Sequence, residues 1–317
     1  MKLTRRKKIL AAFLLVLAVL IGPYLFSRML SPWRRVRVFS DNVEAVGHEG
    51  ATLRVVCYNI AHGRGATDDN WEEFGEEKAT QVTEIGKFLK ETDADIVVLN
   101  EVDFCAVWSG HRNQAEAIAR ESGFPYRAEQ RNLDFRLIYG SCKFGNAVLS
   151  RYPIVDAEVV NYPAQSSWED WLAGSKRGVV CTIRLSPGRQ IRVVAVHLEH
   201  RDETTRVASA NMILDAVRSS EIPLIAAGDF NSTPTGFPHS QASPKGANAM
   251  DNLAASGLFR TRPQELPKAE ELTYSSYQPR SVIDWILIPS QWKFGEYRSV
   301  DTLLSDHRPV VADVEME

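Results

Sequence analysis

Cysteine is scarce in this chain of 317 residues: Cys57, Cys105, Cys142 and Cys181 contain no C-x-x-C pair and no finger-like spacing. A zinc ribbon and a disulfide-dense scaffold are thereby excluded. No G-x-S-x-G turn occurs, so covalent serine hydrolysis has no support. No segment repeats with a fixed period and none is of low complexity, which excludes solenoids and long disordered tracts. Basic residues are also few once the first 37 residues, with nine Lys or Arg and no acid, are set aside. Residues 38–317 carry 28 basic against 40 acidic side chains, a formal charge of −12. A body this acidic lacks the electrostatic footprint of most nucleic-acid binders and leaves room only for a local basic groove.

What the sequence has is a basic head followed by "ILAAFLLVLAVLIGPYLF", residues 9–26, eighteen residues without a charge. The run is near the lower limit for a membrane span and longer than the apolar region of a typical signal peptide. The flank "SRMLSPW" has no small-x-small cleavage site. We therefore expect an uncleaved single-pass anchor, with residues 1–8 as its basic flank and 27–50 as a juxtamembrane linker. Arg and Lys are nearly balanced across the span, and an extracytoplasmic body is only weakly favoured. Cys57 and Cys181 lie in apolar runs and read as buried; Cys105 and Cys142 would be free to pair in an exported protein.

From Ala51 onward short Val- and Ile-rich runs recur, among them "LRVVCYNI", "DIVVLNEV", "RGVVCTIRL", "IRVVAVHL", "IPLIAAGDF" and "PVVADVEM". Their length and β-branched content predict strands, several buried on both faces. Between them, residues 76–91 and 204–219 have helical spacing, with Asp202 as an N-cap of the second, and a short helix is expected near "MDNLAASG". Many strands and few helices predict an α/β domain over 51–317, built of two packed sheets with helices outside.

Polar residues cluster at the ends of these strands: Asn59, Glu101, His197, Asp229 with Asn231, Asp284, and Asp306 with His307. Each alone reads as a cap or turn. Together, carboxylates Glu101 and Asp306 with nearby amide oxygens suit a hard cation. Asp284 beside His307 would fix an imidazole, Asp229 would activate water, and Asn59, Asn231 and His197 would orient a phosphoryl group. In "AAGDFNSTP", Gly228 permits close backbone approach, and Asp229 and Asn231 would project to one side with Phe230 packed on the other.

The ordered motifs "YNI", "NEVD", "GNAVLSRYPI", "KRGVV", "VHLEH", "GDFNSTP", "IDWI" and "SDHRPV" resemble the endonuclease/exonuclease/phosphatase superfamily over residues 53–314. The resemblance implies a four-layer αββα sandwich of two mixed sheets, a phosphate-ester substrate and magnesium, or manganese, as one or two ions. It implies Glu101 as principal metal ligand, Asn59 as a second contact and Asp306 as a further metal-side carboxylate. Asp229 is similar to the family's water-activating or leaving-group acid, Asn231 to its phosphate-positioning neighbour, His307 with Asp284 to the phosphate-contacting pair, and His197 to a phosphate-stabilising histidine. Asn100 stands where Gln is more frequent, and "AVHLEH" points away from DNA repair towards lipid and small-molecule phosphodiesterases.

Arg177 in "KRG" faces substrate or closes a turn, while His62 and His200 line the cleft or sit exposed on loops. Arg206 reads as a helix-surface ion pair, and Trp108, Trp168 and Trp171 as loop residues that contact substrate or membrane or serve as buried anchors. The expectation is a monomeric, membrane-anchored, magnesium-dependent phosphoesterase acting on a lipid headgroup or small phosphate compound. A nuclease and a catalytically silent membrane-bound binding protein are the alternatives; nucleic acid is admitted as a partner but not favoured.

Overall fold

The computed structural model describes residues 4–30, 36–41, 46–67, 69–72, 74–137, 140–166, 168 and 174–316. After helix α1 (Arg5–Leu30) come β1 (Arg37–Ser40), β2 (Thr52–Asn59), α2 (Glu76–Glu91), β3 (Ile96–Asp103), α3 (Gln114–Ser122), β4 (Tyr126–Leu137), β5 (Gly140–Ser150), β6 (Ile154–Asn161), β7 (Arg177–Ser186) and β8 (Arg189–His197). The chain continues through α4 (Glu203–Arg218), β9 (Leu224–Asp229), α5 (Ala249–Ala255), β10 (Phe259–Arg260), β11 (Asp284–Pro289), β12 (Lys293–Ser299) and β13 (Val310–Glu315).

One sheet has the order β1-β4-β5-β3-β2-β13-β12 and the other β10-β11-β9-β8-β7-β6. Each is mixed: β2 runs parallel to β3, and β8 parallel to β9, amid antiparallel pairs. The period-2 alternation of the central strands divides their side chains between two apolar layers. Val55, Cys57, Ile96 and Val98 face Cys181, Val193, Ile225 and Ile286 between the sheets. Val56, Tyr58, Val97 and Leu99 meet Val82, Ile85 and Leu89 of α2 and Ile118 of α3. Val194, Val196 and Ala226 pack under Ala210, Ile213 and Leu214 of α4 and Met250 of α5. The result is the expected αββα sandwich.

The expected helices form at 76–91 and 203–218, and the Asp202 carboxylate accepts from Thr204 and Thr205 N–H, capping α4. Part of the expected linker is ordered structure. Residues 37–40 are the edge strand β1, held to β4 with the Arg127 guanidinium 4.1 Å over the Phe39 ring. The α1 side chains up to Ile21 stand exposed, and the helix is long and apolar enough to cross a membrane. Its far end is docked, with the Tyr24 ring 5.0 Å from Phe135 and Ser27 Oγ accepting from Arg136 N–H.

Cys105 and Cys142 are free thiols. Cys105 exchanges backbone hydrogen bonds with Lys143, whose neighbour Cys142 projects to the opposite face, so the two sulfurs do not meet. Trp171 lies outside the described residues.

Candidate active site

The ends of β2 and β3 from one sheet, and of β8, β9 and β11 from the other, open onto one edge of the sandwich. Pairing registers bring the residues at this edge level: Asn59 lies beside Asn100 in one sheet, while Asp229 lies between His197 and Asp284 in the other.

A buried amide ties the two halves together. Asn100 Oδ1 accepts from the Asp229 N–H at 2.9 Å, and its Nδ2 donates to Asn146 Oδ1 at 2.8 Å. Asn146 in turn donates to Gln130 and to the Arg177 carbonyl. The approach is possible because residue 228 is glycine: at its φ of +133° a Cβ would stand 2.1 Å from Val196 O and 2.8 Å from Asn100 Oδ1.

Asp229 is 2% exposed, and both its oxygens are engaged. Oδ1 accepts from Asn231 N–H at 2.8 Å; Oδ2 accepts from the side-chain amides of Asn59 and Asn231, each at 3.2 Å. Asn231 does share a side with Asp229, but through a left-handed φ of +49° rather than continued extension. Phe230 is fully buried on the other side, as the alternation requires. Burial, reinforced by Asp284 and opposed by His307, raises the Asp229 carboxyl to about 7.

His307 lies across from it. Its Nδ1 bonds Asp284 at 2.9 Å, and its Nε2 points to Asn59 Nδ2 at 3.4 Å and Asp229 Oδ2 at 3.9 Å. Burial disfavours the charged ring, yet Asp284, Asp229 and Asp306 outweigh it and raise His307 to about 10. An imidazolium with one N–H fixed by Asp284 presents the other to the cleft.

Glu101 projects from the opposite wall with a left-handed φ of +53°. Its carboxylate has Arg64, His62 and His197 nitrogens at 3.6–3.7 Å. Although burial opposes ionisation, His62, His197, Lys176 and Arg64 hold this carboxyl far below the usual range. An ionised carboxylate that makes only long contacts among the described residues, with Arg64 between it and Asp306, fits a hard divalent cation. Asp306 Oδ2 is already paired with Arg64 at 2.6 Å. The Asp229, Asp284 and His307 ligand atoms also lie within 4.8 Å of one another, but there the imidazole is already spoken for by Asp284.

Two side chains are placed differently from their expected positions. Arg177 does not reach the cleft: it is buried and donates to the Arg131 and Asn132 carbonyls and to Asn161, stapling β7 to β4. Its predecessor Lys176 does, with Nζ 2.6 Å from His197 Nε2. Burial and this ammonium push His197 well below its ordinary pKa, so it accepts as a neutral ring. Arg206 forms its ion pair with Glu203 at 2.7 Å in full burial, because α4 turns that face inward onto the 199 and 241 segments.

His62 is buried in the cleft and bonded to Asp103 at 2.8 Å, and Asp103 also accepts from Trp108 Nε1. Asp103 lifts the His62 pKa against the effect of burial. Lys176, Arg64 and Asp103 are the cleft residues that sequence reasoning passed over. Lys176 and Asp103 stand inside the motifs "KRGVV" and "NEVD" and Arg64 two residues after His62, so their signal was adjacency to the residues chosen. A cavity of about 200 Å³ is lined by His62, Glu101, Phe144, Lys176, His197 and the half-exposed His200.

The sequence model of the Endonuclease/Exonuclease/phosphatase family matches residues 56–307, which takes in every strand end described above. The chain belongs to this family. Its fold is that of the family's phosphoesterases and nucleases, enzymes that generally depend on a divalent metal. It is 27% identical over 242 residues to the uncharacterized protein YbhP of Escherichia coli K12, covering 74% of this chain and 88% of that one. In fold it is similar to an endonuclease/exonuclease/phosphatase protein of Beutenbergia cavernae, with TM-score 0.61 and 22% identity over 84% of this chain and 72% of the other. A mannosyl-6-phosphatase of Bacteroides thetaiotaomicron aligns with TM-score 0.59 and 16% identity over 83% of this chain and 99% of its own.

Proposed function

We propose that this protein is a magnesium-dependent phosphoesterase, anchored at a membrane by α1, that hydrolyses a phosphate ester by attack of water. The observation that carries the reading is the meeting of Asp229 with the Asp284–His307 pair and the Glu101 carboxylate in one cleft, each from a different strand end. A divalent cation held by Glu101, with Asn59 and Asp306, would polarise the phosphoryl group and offset its developing charge.

The chain's own residues do the rest. Asp229, raised by burial into the neutral range, takes the proton from the attacking water. Asn59 and Asn231 hold its carboxylate in place through the bonds to Oδ2. His307, kept charged by Asp284, donates from Nε2 to a phosphoryl oxygen, and Lys176, held by the neutral His197 ring, supplies a further donor on the Glu101 side. The −12 charge of the body supports a small or lipid-borne phosphate ester over duplex nucleic acid.

The test is a magnesium assay of the full chain on bis-p-nitrophenyl phosphate, phospholipids, inositol phosphates and supercoiled plasmid. Activity that EDTA abolishes is expected, with Glu101→Gln and His307→Ala each lowering turnover about 100-fold or more. Less than tenfold loss in both would falsify the assignment, and plasmid nicking faster than every other reaction would replace it with a nuclease.

A further inference from the structure

The catalytic edge of the sandwich is also the edge to which α1 is attached. Pairing of β3 with β5 ends at Asp103 and Phe144, whereas β4 and β5 continue together through Asp134–Lys143 to Leu137–Gly140. This hairpin therefore overhangs the site end, and it is on the overhang, at Phe135 and Arg136, that α1 docks. The chain then enters the domain from the same side. Arg37 of β1 pairs level with Glu129, and the strand runs from there to Ser40, opposite Tyr126, away from the site. Only residues 31–36 separate α1 from β1, a reach of about 20 Å fully extended.

The same edge carries the exposed rings. Outside α1, the exposed aromatics among the described residues are Trp71 (61%), Phe74 (43%), Trp168 (67%) and Tyr277 (54%). Trp71 and Phe74 stack at 5.8 Å on the loop that follows β2. Trp168 is two residues beyond Ser166, which lines the cleft. Tyr277 follows Ser276, whose N–H donates to the Asp306 carbonyl. Leu303, 59% exposed, is two residues before Ser305, whose hydroxyl donates to the Asn59 carbonyl. Single exposed apolar side chains need no explanation, but the gathering at one end of every exposed ring described outside α1 does. Trp and Tyr favour the water–lipid boundary, where an apolar body and a polar tip are both satisfied.

We propose that this rim is a membrane-contact surface that holds the cleft against the bilayer crossed by α1, and that the substrate is a phosphate ester presented by a lipid. This rests on the phosphoesterase reading for its chemistry and on α1 for its placement.

The experiment uses the full chain reconstituted in phosphatidylcholine vesicles. With brominated phosphatidylcholine, quenching of tryptophan fluorescence is expected, and the quenched component shrinks in the W71F/W168F variant; an unchanged component overturns the membrane contact. In the second arm F74S/Y277S is compared with the unaltered chain on bis-p-nitrophenyl phosphate in solution. The same pair is compared on phosphatidic acid, phosphatidylinositol phosphate and sphingomyelin in the vesicles. At least about a tenfold loss on the vesicle ester, with the soluble ester unchanged within about twofold, is expected. Equal losses on both, no loss on either, or hydrolysis of the soluble ester alone by the unaltered chain overturns the lipid-borne substrate. Inactivity on every ester refutes the phosphoesterase reading instead, and the quenching arm still decides the rim.

Discussion

Adding one methyl group at position 228 tests how tightly the two halves of the site are built together. An alanine Cβ there would be 2.1 Å from Val196 O, over 1 Å inside ordinary contact, and 2.8 Å from Asn100 Oδ1. The carbonyl belongs to β8, the parallel neighbour of β9, and cannot rotate away without breaking that ladder. The φ of +133° adds backbone strain of roughly 1–2 kcal/mol for a residue with a Cβ. Overpacking adds roughly 1–3 kcal/mol, for a total of about 2–5 kcal/mol. At about 2–4 °C per kcal/mol for a domain of this size, Gly228→Ala lowers Tm by roughly 10 °C. Asp229 is the next residue and hangs from Asn100 by its own N–H, so a shift of about 1 Å at position 228 moves the carboxylate and costs about 100-fold in turnover. Thermal unfolding by circular dichroism and turnover of bis-p-nitrophenyl phosphate measure the two effects. A Tm within about 2 °C of the unaltered protein, together with turnover within about threefold, refutes the reasoning.

Two further outcomes follow from the same geometry. Arg206→Met leaves Glu203 buried without its cation, and a destabilisation of about 3–5 kcal/mol is expected in urea titration; a change under about 1 kcal/mol would mean that the pair is not sealed from water. In chelator-treated protein, Asp229 has a folded-state pKa of about 7 against about 3.9 unfolded, so the folded form holds the proton more tightly. Its contribution to stability is present below about pH 4 and is lost as pH rises through about 7; Asp229→Asn should flatten the fall in Tm over that window, and an unaltered slope would count against the shift.

The strands and helices that bury apolar faces were legible because alternation and 3.6-residue spacing are written directly in residues 52–59, 96–103, 189–197 and 76–91. Strand β4 was not. Glu129, Gln130, Arg131, Asn132 and Asp134 are buried there, bonded to one another and to Asn146, Arg177 and Arg127, so a polar run forms part of the interior. Period-based reading assigns such a run to the surface.

At the site, strand-end acids and histidines were found because polar residues closing apolar strands are conspicuous. Choosing between Lys176 and Arg177 was beyond that signal. Both cations stand at the start of the same strand, and only the β4 carbonyls that capture Arg177 decide which of them faces the cleft. Arg206 is the converse case: its i,i+3 acid was readable, but the depth of α4 against the 199 and 241 segments was not.

The bond between Asn100 and the Asp229 amide has an implication for how this protein tolerates change. Asn59 and Glu101 ride on one sheet, His197, Asp229 and Asp284 on the other, and the separation of the two groups is set by the apolar layer between the sheets. The layer acts as a gauge block for the chemistry. Substitutions at Val55, Val98 or Cys181, inside the layer, alter that thickness while the molecule stays folded. On the phosphoesterase reading, activity is then lost earlier than structure, and drift in the core is constrained by the site as much as by folding.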